Sequence, residues 1–204
     1  MTASLISIIG PPAAGKTTLA QALCADLGAT LILEDYAGNP FLADSYVGKA
    51  EARLPGQLCF LMSRVGQLSI ASWPEAGIVV SDYGFCQDGV YAKARLSADE
   101  FRLYRRLATR MEGLVHGPQI VIHLDASEAT LLNRIAARGR DFETVMDRTF
   151  LSAMREAYKT LVGEIGCPVL AIDCDGVDLR EPAARAKIVQ RVQELLAAQT
   201  FAGS

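Results

Sequence analysis

The stretch Gly10-Pro11-Pro12-Ala13-Ala14-Gly15-Lys16-Thr17-Thr18 fits the pattern G-x-x-x-x-G-K-[ST]. The apolar, β-rich run Leu5-Ile6-Ser7-Ile8-Ile9 precedes it, and the helix-forming run Thr18-Leu19-Ala20-Gln21-Ala22-Leu23 follows. Strand, glycine-bounded loop and helix form the context in which this pattern binds phosphate. Successive backbone N–H groups and a helix N-terminus make an anion nest. Gly10, Ala13, Ala14, Gly15, Lys16, Thr17 and Thr18 are therefore the candidate contacts to the phosphates of ATP. Lys16 is expected to reach the β- and γ-phosphates, and the Thr17 hydroxyl to ligate Mg²⁺. A chance match in a strand–turn–helix unit is the alternative, which the flanks and the Lys-Thr pair disfavour.

Bulk properties narrow the class. The chain has 204 residues, half of them hydrophobic, enough for one sizeable core. A net charge of −3 argues against a nucleic-acid binder that tracks a phosphate backbone. No apolar run reaches membrane-spanning length, and the N-terminus enters the first strand without a signal-like segment. Five cysteines, Cys24, Cys59, Cys86, Cys167 and Cys174, are scattered without C-x-x-C spacing, as free thiols in a reducing compartment are. The expected setting is cytoplasmic. His116 and His123 lie in no ligand-spaced cluster and read as structural.

Outward from the loop, strands and helices alternate, which predicts an α/β fold around a parallel sheet. Strands are expected at 5–9, 30–33, 77–81, 120–124 and 169–172. Helices are expected at 18–27, 54–72, 98–115, from 127 to about 138, 147–162 and 181–198, with a frayed tail at 200–204. Ser97 with Glu100 has the form of a capping box. Residues 36–53 read as loop and short helix lying over the site. No linker divides the chain, so one domain over 1–204 is expected, with a lid at about 138–146.

Phosphoryl transfer needs positive charge around the transferring group and something to position or deprotonate the acceptor. Arg134 and Arg138 are one helical turn apart, and Gly139 lets the chain bend so that Arg140 can converge with them. A solvated basic helix end is the alternative. Glu34 ends the second strand and is the candidate acceptor base, with Asp35 its rival by position. Asp82 ends the third strand and is a candidate Mg²⁺ holder through water. Gln57 and Arg64 share a helix face with Phe60 between them and suit the edge of a heterocycle. From spacing alone, a half-exposed helix with solvated polar side chains is the stronger reading of that pair.

Together, these segments resemble the bacterial deoxynucleoside kinases of the deoxyadenosine/deoxyguanosine kinase branch. The resemblance runs through Leu33-Glu34-Asp35-Tyr36-Ala37-Gly38-Asn39-Pro40-Phe41-Leu42, Gln57 to Arg64, Ser81-Asp82-Tyr83-Gly84-Phe85, Leu124-Asp125-Ala126-Ser127 and Arg134 to Arg140. It implies a P-loop, nucleoside-monophosphate-kinase-like fold with a five-stranded parallel sheet, and a homodimer. It also implies ATP- and Mg²⁺-dependent 5′-phosphorylation of a deoxynucleoside, with purines preferred. Carried over by residue, Glu34 matches the general base and Tyr46 the tyrosine on the sugar 3′-hydroxyl. Gln57, Arg64 and Asp88 match the trio on the base edge, and Arg134, Arg138 and Arg140 match the lid arginines. Three departures stand out. Pro11-Pro12 removes two backbone donors from the loop. Tyr83 replaces the arginine that follows the acid in animal members, which leaves the cation at the 5′-hydroxyl unassigned. Thr149 stands near where those members place a second acid on the 3′-hydroxyl. A monophosphate or small-metabolite kinase, and a nucleotide-binding sensor without turnover, are the competing functions.

Overall fold

β1 (Ser4–Ile9) is the central strand of a five-stranded parallel sheet in the computed structural model, which describes residues 2–46, 48–140, 143 and 145–202. It is covered on both faces, so Leu5, Ile6, Ile8 and Ile9 are all buried, the near-continuous apolar run that parallel strands require. β2 (Thr30–Ile32), β3 (Ile78–Ser81), β4 (Ile120–Asp125) and β5 (Val169–Asp173) complete the order β2-β3-β1-β4-β5. The chain leaves β1 toward β3 and β2 on one side, then crosses to β4 and β5 on the other. That reversal puts a crevice at the carboxyl end of β1, where open α/β sheets bind ligands.

α1 (Lys16–Leu27) packs Leu19, Ala20 and Leu23 into the core that β1 and β4 share. α2 (Leu42–Tyr46), α3 (Arg53–Gln67), α4 (Asp88–Arg95) and α5 (Ala98–Glu112) follow in order. α6 (Glu128–Arg138), α7 (Arg148–Glu164) and α8 (Pro182–Ala202) complete the helices. The Ser97–Glu100 capping box forms in both directions, with Ser97 N–H donating to Glu100 Oε2 at 2.9 Å. Asn39 is buried and donates to the Gly56 carbonyl at 2.9 Å, fixing the loop before α2 to α3.

Several boundaries depart from expectation, each for a tertiary reason. α3 stops at Gln67 instead of running to 72, because Ile70 N–H donates to Leu114 O and Leu68 O accepts from His116 N–H. These contacts, with the Ser69–Val115 bridge, pull the chain into a short 3-10 turn at Ile70–Ser72. α5 ends at Glu112, short of 115, for the same reason. α4 was not anticipated: it is a short helix that buries Asp88 and Ala92 and packs Val90 and Tyr91 against the cluster of Ile9, Val121, Met154 and Tyr158. α8 continues to Ala202, where a frayed tail was expected; Gly203 and Ser204 lie outside the described residues, as do Asp141, Phe142 and Thr144 of the expected lid.

Candidate active site

The P-loop is shaped by one close approach. Gly10 has φ 148°, and a Cβ there would stand 2.3 Å from the Leu124 carbonyl oxygen, so no side chain fits. Pro11 and Pro12 occupy the strand side of the loop, and Ala13 takes a left-handed conformation with φ 61°. α1 opens at Lys16 with no side-chain cap and no acidic residue in its first turn. Its first amides are left for an anion. Lys16 is buried and folds back across the loop, donating to the carbonyls of Gly10 and Pro11 at 2.9 Å each. Burial lowers its pKa to about 8, against the pull of the Glu34 and Asp82 carboxylates.

The loop opens onto a cavity of about 710 Å³. Glu34, Tyr46, Gln57, Arg64, Arg134, Arg138 and Arg140 all line it, together with Ala13 to Thr18. Asp35, the rival acid, is exposed and accepts from Gly38 N–H at 2.8 Å in a local turn. Asp82 and Asp88 stand behind the wall and hold what lines it. Asp82 Oδ2 accepts from the Thr17 hydroxyl at 2.5 Å and Oδ1 from Glu34 N–H at 2.8 Å. Burial raises the Asp82 pKa, and these hydrogen bonds oppose it.

Asp88 Oδ1 accepts from Gln57 Nε2 at 2.6 Å and also pairs with Arg64 Nη1, while Oδ2 accepts from the Tyr104 hydroxyl at 2.7 Å. Arg64 Nη2 pairs with Glu34. One buried network thus joins α3, α4 and α5 to the end of β2. A solvated helix face is overturned as the reading of Gln57 and Arg64: they are 5% and 3% exposed. Burial opposes the charge on Arg64, but Asp88 and Glu34 hold its pKa above the usual value.

The arginines divide their work. Arg134 lines the same cavity as the other two and donates to Cys174 O at 2.9 Å and Ala14 O at 3.4 Å, tying the P-loop to the segment after β5. Arg138 and Arg140 are separated by Gly139, which ends α6 with φ 64° and makes the anticipated bend. Their neutralising anion is Glu143, buried at 4% exposure: Arg138 Nε donates to it at 2.9 Å, and Arg140 Nη1 lies 3.5 Å away. Arg140 also lies over the Tyr36 ring, 5.1 Å from its centroid.

Some residues were missed by sequence reasoning. Glu143 lines the cavity with Tyr46, whereas Thr149 is exposed on α7 and takes no part in it. The acid lay three residues beyond Arg140, a spacing that was available in the sequence. Tyr36, Tyr91 and Arg95 add to the wall around Glu34, and the segment 174–180 closes the cavity beside Arg134. That last segment has no motif; only the β5 register, which pairs Asp125 with Asp173, brings it there.

No group of three or more His, Cys, Asp or Glu side chains suited to a metal occurs among the described residues. The hard oxygens of Thr17 and Asp82 fit Mg²⁺, which keeps several waters and takes its remaining ligands from nucleotide phosphates. Nor is any helix of the described residues long and apolar enough to cross a membrane.

Comparison with known proteins gives the family and supports the fold. The chain is 29% identical to a deoxyguanosine kinase of Bacillus subtilis, over 96% of this chain and 99% of the relative. It is also 29% identical to the deoxyadenosine/deoxycytidine kinase of Bacillus subtilis, over 86% and 85%. A deoxyadenosine kinase from M. mycoides, solved with dCMP and a flexible dCDP, shares the fold with a TM-score of 0.81 at 20% identity, over 94% and 99% of the two chains. A sequence model described as deoxynucleoside kinase matches residues 6–197. The chain belongs to the deoxynucleoside kinase family.

Proposed function

We propose that this protein transfers the γ-phosphoryl group of ATP to the 5′-hydroxyl of a deoxynucleoside, with purines preferred, in nucleotide salvage. One observation carries the reading: Glu34 shares a single cavity with Lys16 of the P-loop and with Gln57 and Arg64, which Asp88 holds. The acceptor oxygen attacks the γ-phosphorus, the bond from that phosphorus to the β-bridging oxygen breaks, ADP leaves, and the hydroxyl proton goes to Glu34. Lys16, Arg138 and Arg140 supply positive charge around the transferring group. Gln57 and Arg64 take the base edge, and Tyr46 with Glu143 takes the sugar. Mg²⁺, held by Thr17 and through Asp82, would neutralise charge on the β- and γ-phosphates.

The purine preference is supported by the relatives named deoxyguanosine and deoxyadenosine kinase. A cytoplasmic setting is supported by the scattered free cysteines. A homodimer is part of the same proposal, and light scattering tests it. The decisive experiment is a coupled assay of ATP with the four deoxynucleosides and their monophosphates. Deoxyadenosine or deoxyguanosine should be the best acceptor. Transfer to dAMP without transfer to deoxyadenosine would make this a monophosphate kinase, and ATP binding without any product would make it a sensor.

A further inference from the structure

Arg64 is held more tightly than a base reader needs to be. Nη1 pairs with Asp88 and Nη2 with Glu34, and the side chains of Arg64 and Glu34 are 4% and 7% exposed. The guanidinium also lies 5.5 Å from the centroid of Phe60 and 5.4 Å from that of Tyr83, so aromatic rings bound it as well. Tyr83 is itself fixed: its hydroxyl donates to Gln67 Oε1 at 2.6 Å, and Gln67 Nε2 donates to Leu33 O at 3.1 Å, next to Glu34 in the chain. A planar fork locked in this way dictates where its second carboxylate partner sits. Tyr83, the residue after Asp82, thus carries the ring that backs Arg64.

We propose that Arg64 is the positioning residue for Glu34, so that the guanidinium that meets the base edge also aims the carboxylate at the acceptor hydroxyl. The inference rests on the kinase reading above and adds a link between base recognition and turnover. A base engaging the Asp88 side of the fork leaves Nη2 on Glu34, whereas a base that draws the fork away misaligns the carboxylate. Specificity then appears in kcat as well as in KM.

A double-mutant cycle tests this with saturating deoxyguanosine or deoxyadenosine, whichever is the better acceptor. Arg64→Gln should lower kcat about 10²-fold or more, on the scale of a lost general base. In a Glu34→Gln background the same change should lower kcat less than about threefold, because residues acting as a unit are not additive. Arg64→Lys keeps the buried charge but not the fork. It should fold, by circular dichroism and ATP affinity, and should still lose about tenfold or more in kcat. A rise in KM with kcat within about threefold in both Arg64 variants would overturn the positioning role and leave the kinase reading intact. Full additivity with Glu34→Gln would do the same. Absence of wild-type turnover with every deoxynucleoside, or unchanged kcat in Glu34→Gln, would overturn the kinase reading or its base, and the positioning role with it.

Discussion

The Thr17 hydroxyl donates to Asp82 Oδ2 across 2.5 Å, joining the first turn of α1 to the end of β3. Asp82 also accepts from the backbone of Glu34 at 2.8 Å. One carboxylate therefore sets the spacing between the Thr17 hydroxyl, proposed to hold Mg²⁺, and Glu34, the proposed acceptor base. Asp82→Asn keeps the size but replaces one acceptor oxygen with a donor facing Thr17 or Glu34. Apparent Mg²⁺ affinity should fall about 10–100-fold, as for other groups that orient a metal ligand. Thr17→Ser should keep most activity and Thr17→Val should lose it. Mg²⁺ titrations of the initial rate at saturating ATP check the set; an unchanged Mg²⁺ dependence in Asp82→Asn would remove Asp82 from the metal's surroundings.

Lys16 makes ATP binding depend on pH. Its pKa lies near 8 because burial disfavours the charged form. Phosphate oxygens favour that form, so the bound complex has a higher value. Between the two, binding takes up a proton, and ATP affinity should fall up to about tenfold for each pH unit above about 8. The sign for stability without ligand is the opposite. The unfolded chain holds the lysine proton up to 10.5, so this residue's contribution to stability rises with pH between about 8 and 10.5. Calorimetry of ATP binding in two buffers of different ionisation heat measures the proton directly. Lys16→Met should bind more weakly and show no proton uptake from this source.

Gly10 is a steric requirement of the loop. A methyl group at this position meets backbone, the Leu124 carbonyl oxygen at 2.3 Å, which cannot swing aside as a side chain would. Gly10→Ala should destabilise by about 1–3 kcal/mol through overpacking alone. For a chain of this size that lowers Tm by about 2–4 °C per kcal/mol. A thermal melt with and without ATP separates the two consequences: a lower Tm, and a smaller gain on adding nucleotide because the loop is displaced.

Much of this site is legible in the sequence because P-loop chemistry is local. Loop, strand ends and lid each occupy a few consecutive residues, and the parallel sheet brings the carboxyl ends of β1, β2 and β3 together. What is not legible is long-range. Arg64 and Glu34 are 30 positions apart, and nothing in their spacing says that they pair. The resemblance implies a place for Asp88 on the base edge, and only the fold shows that it is buried and holds Gln57 and Arg64. Arg134 has the helical spacing of a lid arginine, yet two backbone carbonyls take its guanidinium. Only the packed fold decides which partners each of several equally charged groups takes.

Glu143 gives the clearest test of the lid. It occupies Arg138 and Arg140, the guanidiniums proposed to meet the triphosphate, and it faces the cavity alongside Tyr46. Nucleotide binding therefore competes with an internal anion. Both arginines remain about one-third exposed, so the competing pair contributes little, on the order of 1 kcal/mol or less. Glu143→Gln should tighten ATP binding by up to about fivefold. The same change removes a carboxylate from the sugar end, so KM for the deoxynucleoside should rise. The two effects have opposite signs on the two substrates, which general damage to the fold would not produce. Separate measurement of ATP affinity and of KM for the deoxynucleoside decides the matter. Weaker binding of both would mean that Glu143 orders the lid and does not compete for it.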